Sequence, residues 1–213
     1  MKTEQLIDLL STNVEPVKTG QFRKTLAFAI IAGAGAAFCI MLATVGLRPD
    51  LATTSHIPFL AVKLAFTITL IALGTLLLSK LVRPGQARRG LFTALLLPFL
   101  VIAIAAGVVL ASDTPLAWGR MIFGMNWAMC LLCIPLFAVV PLVALTWFLR
   151  KGAPTELRRT GAIAGLVAGA LGATAYAFHC PDDSIPFIAI WYGAMVAMCG
   201  LVGAMLGPKL LRW

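Results

Sequence analysis

Residues Met125–Leu149 read MNWAMCLLCIPLFAVVPLVALTWFL, an uncharged run of 25 residues. A helix rises 1.5 Å per residue and a bilayer's hydrocarbon core is about 30 Å thick, so about 20 apolar residues suffice to cross it. Five more windows qualify: Leu26–Leu47, Pro58–Ser79, Leu91–Ser112, Gly161–Phe178 and Ile185–Leu206. Lys63 is the one charge inside any of the six. In hydrocarbon every backbone N–H and C=O must be bonded within the protein, and runs of this length satisfy that as helices. Composition agrees, with hydrophobic residues at 61% of 213 positions and charged ones at 12%, far from a water-soluble domain. The fold class read from the sequence is all-α, a polytopic membrane protein with six transmembrane helices.

The basic residues set an orientation. Fourteen of the 17 lysines and arginines lie before the first run, between the second and third, between the fourth and fifth, or after the sixth. Arg48 and Arg120 are alone on the other side. Cytoplasmic loops carry the excess of Lys and Arg, so both termini are expected in the cytoplasm. The net charge of +9 is this asymmetry, and no direct nucleic-acid partner need be invoked. Trp118, Tyr176, Trp191 and Tyr192 fall near the expected outer boundary, as an aromatic belt would.

Two parts follow: a cytoplasmic tail over residues 1–24 and a six-helix domain over 25–213. In the tail, Leu6, Ile7, Leu10 and Val14 recur at helical spacing until Pro16 ends the pattern. So short a helix is marginal alone in water. It needs either a protein partner, with Leu6, Ile7 and Leu10 as its contact, or the anionic inner leaflet. The polar lead is too long for a secretory signal.

Reactive chemistry gathers in His179-Cys180-Pro181-Asp182-Asp183-Ser184. Thiolate, imidazole and carboxylate are the usual transition-metal ligands, and a thiol also senses oxidants. The plainer reading is a polar turn in which Asp182, Asp183 or Ser184 caps the next helix. Among the other cysteines, Cys130 and Cys133 lie in the outer half of the fourth run, whereas Cys39 and Cys199 read as small buried hydrophobes. Cys130, a turn nearer the outside than Cys133, is the better partner for Cys180. Lys63 is expected to snorkel to the outer face. The sharper alternative makes it a counter-charge for Asp182, Asp183 or Asp50. His56 reads as a solvated loop histidine, or as an extra metal ligand. Met121, Met125, Met129 and Cys133 form one stripe, read as core filler. Asn126 is expected to face the bundle and bond something. Pro98, Pro135 and Pro141 mark kinks. Gly161, Gly165 and Gly169 mark a tightly packed fifth helix without a reactive group.

The opening Met1-Lys2-Thr3-Glu4-Gln5-Leu6-Ile7-Asp8-Leu9-Leu10, then Val14-Glu15-Pro16-Val17, resembles the start of the NrsF family, negative regulators of sigma-F. The six spans and the late His179-Cys180-Pro181-Asp182-Asp183-Ser184-Ile185-Pro186-Phe187 resemble the same family over essentially the whole chain. The resemblance implies a multi-pass protein of the bacterial inner membrane, an anti-sigma factor that restrains an extracytoplasmic-function (ECF) sigma factor. It also implies an outward-facing cysteine pair as the sensor, carried onto Cys180 and Cys130, with Cys133 the alternative to Cys130. No cofactor is obligatory. A heavy-metal ion, held transiently by Cys180, Cys130, His179 and Asp182, or an oxidant would be the signal. No serine–histidine–acid set, intramembrane zinc motif or phosphate loop is evident, so catalysis is not expected. Two other classes stay open: a membrane thiol oxidoreductase using Cys130 and Cys133, and a heavy-metal transporter using Cys180, His179 and the methionine stripe.

Overall fold

The computed structural model describes residues 3–5, 21–50, 56–82, 89–152 and 154–212. Six helices among the described residues are long and apolar enough to cross a membrane, and no strand occurs among them. Leu6, Ile7 and Leu10 lie outside the described residues.

The first span is α1 (Gln21–Thr44) and the second α2 (Ile57–Leu81). The third is broken into α3 (Arg89–Ala94) and α4 (Leu97–Ser112). Pro98 has no N–H to offer the Ala94 carbonyl, and the helix is interrupted just before it. The fourth span also has two pieces, α5 (Pro115–Phe123) and α6 (Trp127–Arg150), and α6 runs through both Pro135 and Pro141. The fifth is α7 (Leu157–Ala177). The sixth begins as α8 (Ile185–Phe187), passes through a π-helical stretch at Ile188–Tyr192 and continues as α9 (Gly193–Leu210).

The fifth span is the axis of the molecule. Its most apolar window is 83% buried, against 22–44% for the other five, and it packs on the first, second, fourth and sixth spans. Small residues make this possible. A methyl group at Gly161 would strike the Gly203 carbonyl, and one at Gly165 would strike the Cys199 carbonyl. Backbones in such contact gain dispersion energy that bulky side chains would forbid, which matters in lipid because association there has no hydrophobic drive. On the first span only part of the small-residue face is used: Gly33 meets Pro141, while Gly35 has nothing within 4 Å.

The methionine stripe does not fill the core. Met125 is 91% exposed and Met129 partly so, although Cys133 in the same row is buried. The expected aromatic belt is also divided. Trp118 stays at the surface, but Tyr176 and Tyr192 are fully buried. At the opposite, basic end, Arg150 Nε donates to the Leu210 carbonyl and joins the ends of the fourth and sixth spans.

Candidate functional site

Cys180 reaches the interior because the fifth helix ends in a tight turn. The N–H groups of His179 and Cys180 both donate to the Tyr176 carbonyl, which folds the chain back over the helix end. Cys180 is therefore fully buried, contrary to the outer-surface position expected for it. Cys130, in the first turn of α6, is fully buried too, and it is the thiol that meets Cys180. Cys133 lies a turn deeper, buried but outside this pairing. All five cysteines are free thiols.

Two tyrosines close the pocket around the pair. The rings of Tyr176 and Tyr192 lie 6.2 Å apart. Neither hydroxyl has a nitrogen or oxygen partner among the described residues; Tyr176 is turned to Cys130 and Tyr192 to Cys180. A thiol is a weak partner for a buried hydroxyl, so such groups mark places where something other than stability has shaped the structure. Sequence reasoning missed both tyrosines, because aromatics near a span boundary read as belt residues.

Beside the thiols lies an ionic cluster. Lys63 is wholly buried, and its ammonium donates to Asp183 Oδ1 at 2.9 Å and to the Cys180 carbonyl at 3.1 Å. Arg48 Nη1 donates to Asp183 Oδ2 and to the same Cys180 carbonyl, each at 3.0 Å. The rest of its guanidinium grips Asp50, with Nε and Nη2 at 2.8 and 2.7 Å from the two carboxylate oxygens. His56 stands between the acids, Nδ1 2.6 Å from Asp183 Oδ2 and Nε2 3.3 Å from Asp50 Oδ2. Lys63 thus does not snorkel, and His56 is not a solvated loop residue. The loop after the fifth helix arches over the second span and brings Asp183 and a backbone carbonyl to the ammonium, and a buried charge persists only when so paired.

The electrostatics follow from these contacts. Burial pushes the Asp183 carboxyl up, but the Lys63 ammonium, supported by Arg48 and His56, outweighs it and holds the group below its ordinary value. The Arg48 hydrogen bonds hold Asp50 well below the usual carboxylate range. The Cys180 thiol is held below its ordinary value, first by the Cys130 thiol donating to it and then by the Lys63 charge, against the opposing effect of burial.

Asp182 points the other way. Its Oδ1 and Oδ2 accept from the N–H groups of Met125 and Asn126, each at 2.9 Å, just ahead of α6. The carboxylate fits against Gly124, whose φ of +56° suits glycine and where any Cβ would collide with it. Ser184 Oγ donates to the Met121 carbonyl and Trp191 Nε1 to the Ile122 carbonyl, both at 2.8 Å. The local cap read from the sequence is not used: Ser184 makes no side-chain bond at the start of its own helix, and Asp182 serves a helix 56 residues back in the chain. Among the described residues Asn126 bonds through its backbone N–H and carbonyl.

The residues named as metal ligands are not gathered at one point. His179 Nδ1 donates to the Gly46 carbonyl at 3.0 Å, and Asp182 is engaged as described. Among the described residues no three His, Cys, Asp or Glu side chains converge in a way that could hold a metal ion. What the arrangement offers a soft ion is two thiols with two tyrosine hydroxyls beside them.

Comparison with known proteins now bears on these residues. The pattern of a family described as NrsF, negative regulator of sigma F, matches residues 10–213. The chain belongs to the NrsF family. It is 36% identical over 214 residues to a probable anti-sigma-F factor NrsF of Azospira oryzae, and 33% identical over 222 residues to the anti-sigma-F factor NrsF of Caulobacter vibrioides. In both cases the match covers 100% of each chain. No solved structure matches it. NrsF is the name of a regulator and not of an enzyme.

Proposed function

We propose that this NrsF-family protein is an anti-sigma factor of the bacterial inner membrane, with the thiol end of the bundle facing outward and both termini in the cytoplasm. It restrains an ECF sigma factor through its N-terminal tail and basic loops. It releases that partner when Cys130 and Cys180 bind a soft metal ion or are oxidised. The single observation that carries this reading is the meeting of these two buried thiols, 50 positions apart in the chain, at the end away from the basic loops.

Either signal would draw the sulfurs together. A soft ion takes both as thiolates and displaces two protons. An oxidant takes two electrons, the two protons leave, and an S–S bond of about 2.05 Å forms. The loop is already fastened to the fourth span by Asp182 and Ser184, and the sixth span by Trp191, so the change acts on the span interiors. Cys180 follows directly on the fifth helix, which packs on four of the other spans. A shift at its thiol end therefore reaches the basic end, where Arg150 links the fourth and sixth spans.

Moving a partner from mostly held to mostly free takes about 5.5 kcal/mol of differential stabilisation. Structural zinc binding in peptides reaches about 10–16 kcal/mol, so a two-thiol site has enough to draw on. The test is a sigma-dependent reporter under metal or oxidant challenge. Cys130→Ser and Cys180→Ser should each leave it silent, while Cys39→Ser and Cys199→Ser should induce normally. Normal induction in Cys180→Ser would remove the pair from the mechanism.

A further inference from the structure

We propose that Asp182 and Asp183 are positioning residues that preassemble the thiol pair, a proposal that rests on the reading of Cys130 and Cys180 as the sensor. The two carboxylates are adjacent in sequence and bind opposite walls of the site. Asp182 takes the two consecutive N–H groups of Met125 and Asn126, and the Asn126 carbonyl in turn accepts from the Cys130 N–H at 3.2 Å. The start of the helix that carries Cys130 is thereby fastened two residues along the chain from Cys180.

Asp183 takes Lys63 from the second span and Arg48 from the segment after the first. Those same two cations hold the Cys180 carbonyl, at 3.1 and 3.0 Å. Each cysteine's backbone is thus tied within a few bonds to one short loop. Both carboxylates are committed to other partners, and through them they place the pair by way of the backbone.

The shape of Gly124 supports the assignment independently. A side chain there would occupy the position of the Asp182 carboxylate, so the turn between α5 and α6 is cut to receive that residue. The chain also leaves the start of its own sixth-span helix without a side-chain cap, although Asp182, Asp183 and Ser184 stand beside it. Two buried thiols fixed in this way present a high effective concentration to each other.

The test uses the purified full-length chain in detergent, equilibrated with reduced and oxidised glutathione for long enough that local opening of the bundle admits the reagent to the buried thiols. One thiol attacks oxidised glutathione and expels reduced glutathione. The second attacks the mixed disulfide and expels another, so two protein thiols become one disulfide as one glutathione disulfide becomes two thiols. Mass spectrometry reads the Cys130–Cys180 disulfide and gives the effective concentration of the pair. It should fall by about tenfold or more in Asp182→Ala and in the double variant Lys63→Met/Asp183→Asn, the scale expected from losing one or two charge-assisted hydrogen bonds. Asp182→Asn, which keeps one acceptor oxygen, should recover part of the loss. Cys199, in the seam between the fifth and sixth spans, should stay closed to N-ethylmaleimide throughout, showing that the bundle is intact. If Asp182→Ala opens Cys199, Asp182→Asn decides, and a wild-type effective concentration there overturns the proposal. Wild-type values in both Asp182→Ala and the double variant would overturn it while leaving the sensor reading standing. A wild-type chain that forms no Cys130–Cys180 disulfide at any glutathione ratio would overturn the sensor pairing and this proposal with it.

Discussion

Lys63 Nζ lies 2.9 Å from Asp183 Oδ1, the lysine side chain wholly buried and the carboxylate 9% exposed. The pair joins the second span to the loop that carries Cys180. Removing one partner of a buried ion pair strands the other charge, whereas removing both leaves Arg48 and His56 with Asp50 and strands no charge opposite Lys63.

Lys63→Met should therefore destabilise the protein by about 3 kcal/mol, toward the low end for such pairs because Arg48 and His56 still face Asp183. Lys63→Met/Asp183→Asn should cost less than the two single changes summed, by about 1 kcal/mol or more. Unfolding in mixed micelles of a mild detergent and dodecyl sulfate reads all three. Strict additivity would mean that the contact contributes no coupling.

The seam between the fifth and sixth spans gives a second expectation. Gly165→Ala places a methyl against the Cys199 carbonyl and should cost about 1–3 kcal/mol, as overpacking does. Gly35→Ala, with nothing within 4 Å, should be neutral or slightly stabilising. Equal effects at the two positions would show that the two spans are not in backbone contact.

Burial changes what surface labelling can report. In a labelling pulse short against local opening, an impermeant maleimide should leave Cys180 unmodified in the folded protein, whichever side it is added from. Leu116, 98% exposed in α5 at the start of the fourth span, is the better reporter of orientation. A cysteine introduced as Leu116→Cys should be labelled in intact spheroplasts. Labelling only after permeabilisation would invert the proposed topology.

The tail supplies a further expectation. Leu6→Asp/Leu10→Asp removes the apolar stripe of residues 1–24 and should release the sigma factor with membrane insertion unchanged. Co-purification of the sigma factor measures it, and undiminished binding would transfer the contact to the basic loops.

Much of the architecture was legible because hydrocarbon is a severe solvent. A chain that must bond every backbone group internally and carry almost no charge announces its spans by length and composition, and all six expected runs are helices. The turn-by-turn glycines of the fifth span were equally readable, since close helix approach demands small residues at that interval.

Which face of each span turns inward was not legible, and the site depends on it. In a soluble protein the apolar stripe marks the buried face, but here both faces are apolar, so the sequence carried no sign that Tyr176 and Tyr192 point inward or that Met125 points out. The charged residues were hidden for another reason. Lys63 reads as a snorkeller and Asp182 as a local cap as long as only neighbours along the chain are considered. Their partners, Asp183 and the start of the fourth-span helix, lie 120 and more than 50 positions away. From its sequence six helices long and apolar enough to cross a membrane, and the glycine seam, could be determined, because these follow from one residue's chemistry at a time. The packing of the fifth span among its neighbours decided the thiol pair and the ionic cluster beside it, because a buried charge or thiol takes its meaning from whatever the fold sets opposite it.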